Sequence, residues 1–207
     1  MPTRTYDSTR RRESAAATRA DVLAAAATLF GERGWVRTSM RDIAKAAGVS
    51  VETVYSSIGS KGEVLRAVID LSILGDEGPV PLEERAEFLA IGAGTPAQRA
   101  QKMADLMGTV FPRTAPIVRA VEQGAAADPA LKELWQWGLQ SEREGFGRAL
   151  TLLLAREPTP HQIDIAHAVL GERVYLHLTE FAGWSNEAYR AWVADTLLYL
   201  FLREEHP

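Results

Sequence analysis

The segment Thr38–Leu65, TSMRDIAKAAGVSVETVYSSIGSKGEVL, holds the residues whose types and spacing can do chemistry. Met40, Ile43, Ala44 and Ala47 recur at i, i+3, i+4 and i+7, which places them on one face of a short helix. Gly48 follows, where left-handed backbone costs glycine least. Val49 can plug the core. Ser50 can cap a second short helix over 51–57, with Val54 and Ile58 facing inward. Two short helices across a glycine turn form a helix-turn-helix, and Ala44 is small enough for their crossing. The second helix then turns Val51, Glu52, Tyr55 and Ser56 outward, with Thr53 at its flank. Short hydroxyls, a tyrosine and a carboxylate can all reach base edges or phosphates in a major groove.

Helices must position these residues. No segment alternates with period 2, so the chain is expected to be all-α with about nine helices. Their starts are marked. Ser39 with Asp42 can cap one helix, and Ser60 with Glu63 forms a capping box. Thr95-Pro96 with Gln98 and Thr159-Pro160 with Gln162 add a first-turn proline, and Asp128-Pro129 repeats that pairing. A first helix is expected over about 15–33, with Val22, Leu23, Ala26, Leu29 and Phe30 on its buried stripe. Residues 1–13 are expected as a flexible basic arm, 14–60 as a helix-turn-helix head, and 61–207 as a helical body. Later helices are expected over 60–74, 96–111, 116–126, 129–155, 160–182 and 185–203, with Pro112–Pro116 as a break.

Composition excludes several classes. The chain has 207 residues and no cysteine, which removes disulfides, thiol nucleophiles and cysteine metal sites and fits a reducing cytoplasm. Its apolar stretches fall short of the ~20 residues that span a bilayer. The alanine-rich stretch after Arg12 is broken by Arg19 and Asp21, so it does not read as a signal peptide. Residues 1–65 carry 10 basic and 7 acidic side chains, while 66–207 carry 13 and 20. A basic head on an acidic body points the head toward an anionic partner. No hydrolase elbow, zinc-protease helix or phosphate loop is present, so no enzyme is expected. His161, Asp164 and His167 spread too widely around their helix for one metal site, and no cofactor is expected.

The motif IAKAAGVSVETVYSSIGSKGEV, preceded by Phe30, Gly34 and Thr38, resembles the tetracycline-repressor (TetR) family of bacterial transcription regulators. Gly183-Trp184-Ser185, Glu187, Tyr189, Trp192 and Thr196-Leu197 resemble that family's last helix. The likeness is strong over 15–70 and moderate over 183–203. It implies phosphate contacts from Thr38, Tyr55 and Lys61, with Ser39 beside them. It also implies a groove-facing set of Ser50, Val51, Glu52, Thr53 and Ser56. Arg10, Arg11 and Arg12 can add backbone or minor-groove contacts. Glu52 departs from the family's glycine, and its carboxylate repels phosphates while able to accept from cytosine.

The body carries two further expectations. A homodimer interface is expected from Ile163, Leu170, Val174, His177 and Phe181 on one helix and Trp192, Thr196 and Leu200 on the last. Met103, Met107, Phe111, Trp135, Leu139 and Phe146, with His167 nearby, are expected to line a pocket for a small apolar effector. The resemblance implies a repressor released from palindromic operator DNA when that effector binds. The alternative is a helical ligand-binding or scaffold dimer that no longer reads DNA.

Overall fold

The computed structural model describes residues 8–202, apart from 77, 79 and 127. The N-terminal part is built from α1 (Ser8–Arg33), α2 (Met40–Ala46), α3 (Val51–Ser57) and α4 (Lys61–Leu74). Short turns over Leu82–Gly92, including α5 (Ala86–Leu89), lead to the body. The body consists of α6 (Pro96–Ala125), α7 (Pro129–Leu154), α8 (Pro160–Leu170), α9 (Glu172–Leu176) and α10 (Asn186–Leu197). A π-helical turn extends α9 over His177–Phe181, and another extends α10 over Leu198–Leu202. No strand occurs among the described residues.

The cap signals act as the sequence requires. Ser39, Ser60, Thr95 and Thr159 each accept from the backbone N–H three residues on, and Asp42, Glu63, Gln98 and Gln162 reach back reciprocally. Ser50, Asp128 and Ser185 cap α3, α7 and α10. Each such cap satisfies an orphan N–H locally and is worth about 1 kcal/mol. The first helix begins at Ser8, earlier than expected, so residues 8–13 are helical rather than an arm. Residues 1–7 of that expected arm lie outside the described residues.

Two apolar clusters hold the chain together. One joins Val22, Leu23, Ala26 and Phe30 of α1 to Ile43 and Ala44 of α2, Val54 of α3, and Val64, Leu65 and Val68 of α4. The first two turns of α4 therefore belong to the head's core, past the expected boundary at residue 60. The same cluster takes in Ile117 and Val121 of α6 and Leu131 and Leu134 of α7. The second joins Met103, Met107 and Phe111 of α6, Phe146 and Leu150 of α7, Leu170 of α8, Tyr175 of α9 and Tyr189, Val193 and Leu197 of α10.

One expected break is absent and one unexpected break is present. Pro112 and Pro116 do not interrupt α6, which runs through both. A proline in mid-helix removes the N–H that would serve the carbonyl four residues back. For Pro112 that carbonyl is Gly108. It accepts instead from Asn186 Nδ2 at 2.9 Å and from an Arg190 guanidinium N–H at 3.0 Å, both on α10. A side chain at Gly108 would collide with Arg190, so the glycine makes room for the substitute donors. Conversely, the helix expected over 160–182 breaks at Gly171, whose φ of −63° and ψ of 167° are extended. A Cβ there would meet the His167 carbonyl at 2.6 Å.

Removing one substitute donor leaves the Gly108 carbonyl with the other. Asn186→Ala or Arg190→Met alone should cost about 1 kcal/mol, and the pair should cost more than the sum of the two. Urea unfolding of the four proteins of that cycle measures the excess.

Candidate functional site

The helix-turn-helix forms as its spacing dictates. Gly48 takes φ +68° and lets α2 turn into α3. Ser50 accepts from the Thr53 N–H at 3.1 Å, and its hydroxyl also lies 3.0 Å from that of Thr53. Val54 is the buried residue of α3. Glu52, Tyr55 and Ser56 are exposed, Tyr55 at 53%. Val51 and Thr53 are half-buried. The Glu52 carboxyl is held below its usual range, first by its own backbone N–H and then by the Ser50 hydroxyl. It therefore stays a carboxylate at neutral pH. Arg19 of α1 donates to the Ser57 carbonyl at 3.1 Å and pins the far end of α3.

The other residues expected at the interface divide. Ser39 is exposed but serves as the cap of α2. Thr38 is a correction: it is 1% exposed. Its hydroxyl sits 3.1 Å from the Leu29 carbonyl and 2.8 Å from that of Gly34. Its side chain closes the turn after α1 and does not face solvent. Lys61 folds back on the head. Its Nζ donates to the Trp35 carbonyl at 2.6 Å and stands 3.9 Å from the centre of the indole. Burial lowers its pKa, with Asp128 and Asp42 opposing that shift. The side chains of Arg10 and Arg11 lie outside the described residues, while Arg12 is exposed on α1.

Sequence reading missed three cations. Arg37 precedes α2, and Arg41 and Lys45 lie on it; all are exposed, while Met40, Ile43 and Ala44 face the core. The signal was available for two of them, since Arg41 and Lys45 occupy positions between the apolar ones in Thr38–Leu65.

A cavity of about 400 Å³ lies in the body. Its walls include Met103, Met107, Phe111, Trp135, Leu139 and Phe146, the residues the sequence brought together. Residues of α4, among them Ile69 and Ile73, also border it. His167 is not on the wall. Its Nε2 lies 2.9 Å from a Glu142 oxygen, and it is Glu142 that lines the cavity. Glu172 lines it too and is 9% exposed. Burial and then the neighbouring Glu142 push the Glu172 carboxyl up to about 8, with the Thr114 hydroxyl opposing. Asp164 pairs with Arg143 at 2.6 Å, away from His167, and no metal cluster occurs among the described residues.

The expected dimer residues also divide. Phe181 is 82% exposed and stacks on the exposed His177, their ring centres 5.1 Å apart. Trp184, Tyr199 and Leu200 are exposed as well. Ile163, Val174, Trp192 and Thr196 are half-buried. Leu170 is a correction, because it is fully buried within its own chain. The break at Gly171 resets the helical phase, so Leu170 and Phe181 do not share a face.

A capped, rigidly mounted second helix with an exposed polar face defines a helix-turn-helix protein. The sequence pattern of the bacterial regulatory proteins of the tetR family matches residues 22–68. The HTH-type transcriptional regulator TtgR of Pseudomonas putida is 39% identical over 61 residues, 30% of this chain and 29% of that protein. The HTH-type transcriptional repressor Rv3405c of Mycobacterium tuberculosis is 35% identical over 122 residues, 51% of this chain and 63% of that protein. The chain thus spans under two thirds of the length of these curated relatives. Residues 22–68 thus carry the tetR-family pattern. The fold extends the likeness beyond the head. A TerR/AcrR-family transcriptional regulator from Aquifex aeolicus superposes with a TM-score of 0.63 at 17% identity, covering 89% of this chain and 99% of that one. NalD of Pseudomonas aeruginosa, the secondary repressor of the MexAB-OprM multidrug efflux pump, gives 0.61 at 22% identity, covering 90% and 96%.

Two stability measurements check the site. Thr38→Val should destabilise the fold by about 1–2 kcal/mol, because the Thr38 hydroxyl has no solvent role to lose. Glu172 is a carboxyl whose folded pKa is raised above its unfolded value of 4.5. The folded state therefore holds the extra proton, and stability falls as pH rises from the unfolded value toward about 8. Glu172→Gln should flatten that fall and raise stability at the alkaline end, by on the order of 1–3 kcal/mol. Urea midpoints across this pH range read both effects.

Proposed function

We propose that the chain is a dimeric, sequence-specific DNA-binding regulator of transcription whose DNA affinity is set by a small, largely apolar effector in its body. The observation that carries this reading is α3 itself. It is capped at one end, pinned by Arg19 at the other, and turns Glu52, Tyr55 and Ser56 to solvent. Ser50, Val51 and Thr53 complete the groove-facing set, with Ser39 at the cap of the preceding helix. Arg37, Arg41, Lys45 and Arg12 supply phosphate contacts. Lys61 joins them, since an ammonium has three donors and Trp35 takes one. The head comprises residues 14–60 with the first turns of α4, and the remainder is the effector and dimer body. The names of relatives, a transcriptional repressor in Mycobacterium tuberculosis and an efflux-pump repressor of similar fold, favour repression.

Dimerisation follows from the reach of one short recognition helix, which reads too few base pairs for useful affinity alone. The exposed Phe181–His177 stack and the exposed Leu200 offer apolar surface a second copy can cover. In the proposed mechanism an effector enters the cavity, bears on α4 through Ile69 and Ile73, and alters the spacing of the two heads. A coupling of about 1–3 kcal/mol would weaken operator binding roughly 5- to 150-fold.

Selection from a random duplex library at fixed salt tests the reading. Recovery of one palindrome with half-sites about one helical turn apart is the expected result. The exposed carboxylate of Glu52 favours a second reading, a ligand-binding dimer that does not read DNA. Recovery of no sequence from folded protein, with or without added ligand, would establish that reading instead. On the recovered palindrome, Tyr55→Phe should weaken binding about threefold to tenfold, one hydrogen bond to phosphate being lost. Phe181→Glu should turn the dimer to monomer in sedimentation, and operator binding should fall with it.

A further inference from the structure

The cavity wall is largely apolar, with two acidic side chains in one corner. Glu142 of α7 and Glu172 of α9 converge there. Their needs are met unequally. Glu142 has two partners, His167 Nε2 at 2.9 Å and the backbone N–H of Glu172 at 3.1 Å. Glu172 is nine-tenths buried and has the Thr114 hydroxyl of α6. No cation pairs with Glu172 in any ion pair among the described residues. The other charged residues on the wall, Glu83 and Arg148, are half-exposed and lie within 3.9 Å of each other, so they offset one another at the rim. The corner thus carries a carboxyl in a low-dielectric setting beside a second carboxylate. A buried group of this kind is stabilised most by a donor bearing positive charge. The walls also include Phe111 and Phe146, whose ring faces attract cations.

We propose that this cavity is a site for an amphipathic amine, its apolar body between α6 and α7 and its ammonium held by the Glu172 carboxylate. The inference rests on the effector reading above and gives that effector a chemical class. The groups facing Glu172 are Thr114 from α6, Glu142 from α7, His167 of α8 through Glu142, and Tyr189 of α10. The Tyr189 hydroxyl is buried and has no hydrogen-bond partner among the described residues. None of these groups supplies a fixed positive charge at Glu172. The raised pKa of Glu172 gives the site a proton to release. When the ammonium arrives, Glu172 ionises, its proton passes to solvent, and the charge pair replaces the neutral acid. Amine affinity therefore rises with pH between about 6 and 8, while affinity for a neutral analogue does not.

A matched series separates charge from shape: naphthylmethylamine, naphthylmethanol and naphthoic acid. Titration calorimetry, with quenching of tryptophan fluorescence as a second readout, gives the affinities of full-length protein. The amine should bind at least about tenfold more tightly than the alcohol at pH 8, and the acid more weakly than either. Repeating the amine titration in buffers of different ionisation heat should reveal proton release. In Glu172→Gln the amine's advantage should vanish while the alcohol binds as before, which also certifies an intact cavity. Should that variant fail to fold, the ligand series and its pH dependence in the wild-type protein decide alone. Equal binding of all three compounds would leave the cavity an effector site and overturn the amine assignment. Binding of none of them would overturn both, whereas operator selection would remain unaffected.

Discussion

The continuity of α6 is the constraint on which the rest of the chain depends. Its first half supplies Met103, Met107 and Phe111 to the body's core, and its second half supplies Ile117 and Val121 to the head's core. One rigid rod thus belongs to two clusters. Around its midpoint the contacts to the head are dense. Arg113 donates to the Ser72 and Ile73 carbonyls at the end of α4. Arg119 bonds the Gly31 carbonyl of α1 and pairs with Glu180. Gly31 lies so close to Pro116 that a side chain there would touch the proline ring. A displacement of α6 is therefore felt by α1 and α4 together, since neither can let go without exposing apolar surface.

That continuity was hidden from sequence reading because two prolines argued against it. Helix rules score a proline by the hydrogen bond it removes, and they contain no record of who replaces it. Asn186 and Arg190 lie some 80 residues away in the chain, and only the packed structure brings them to the Gly108 carbonyl. Thr38 was misread for a similar reason. A threonine beside a cap is equally suited to a phosphate and to a buried turn, and the choice rests on the carbonyls of Leu29 and Gly34. Leu170 was misassigned because a periodicity counted across Gly171 assumes one helix where there are two.

What was legible was local. The capping residues, the glycine turn and the inward set Ile43, Ala44 and Val54 are all written within a few residues of where they act. So were the six apolar cavity residues, because helical spacing on α6 and α7 already put them on facing stripes. The acidic corner was not. Glu142 and Glu172 lie 30 residues apart on different helices, and a glutamate on a helix reads as solvent-facing until its burial is known. Sequence reading placed His167 at the cavity; the structure places it one step behind, holding the carboxylate that lines it.

The π-helical turns at the ends of α9 and α10 separate two jobs that share a helix. In an α-helix each added residue rotates every later side chain by about 100°. A π turn absorbs one residue as a bulge and leaves the preceding turns undisturbed. Tyr175 and Val193 thus stay locked in the core, while Phe181 and Leu200 within the π turns are exposed. Each π turn serves both sides, with Leu178, Leu198, Phe201 and Leu202 packed on the core and Phe181 and Leu200 exposed.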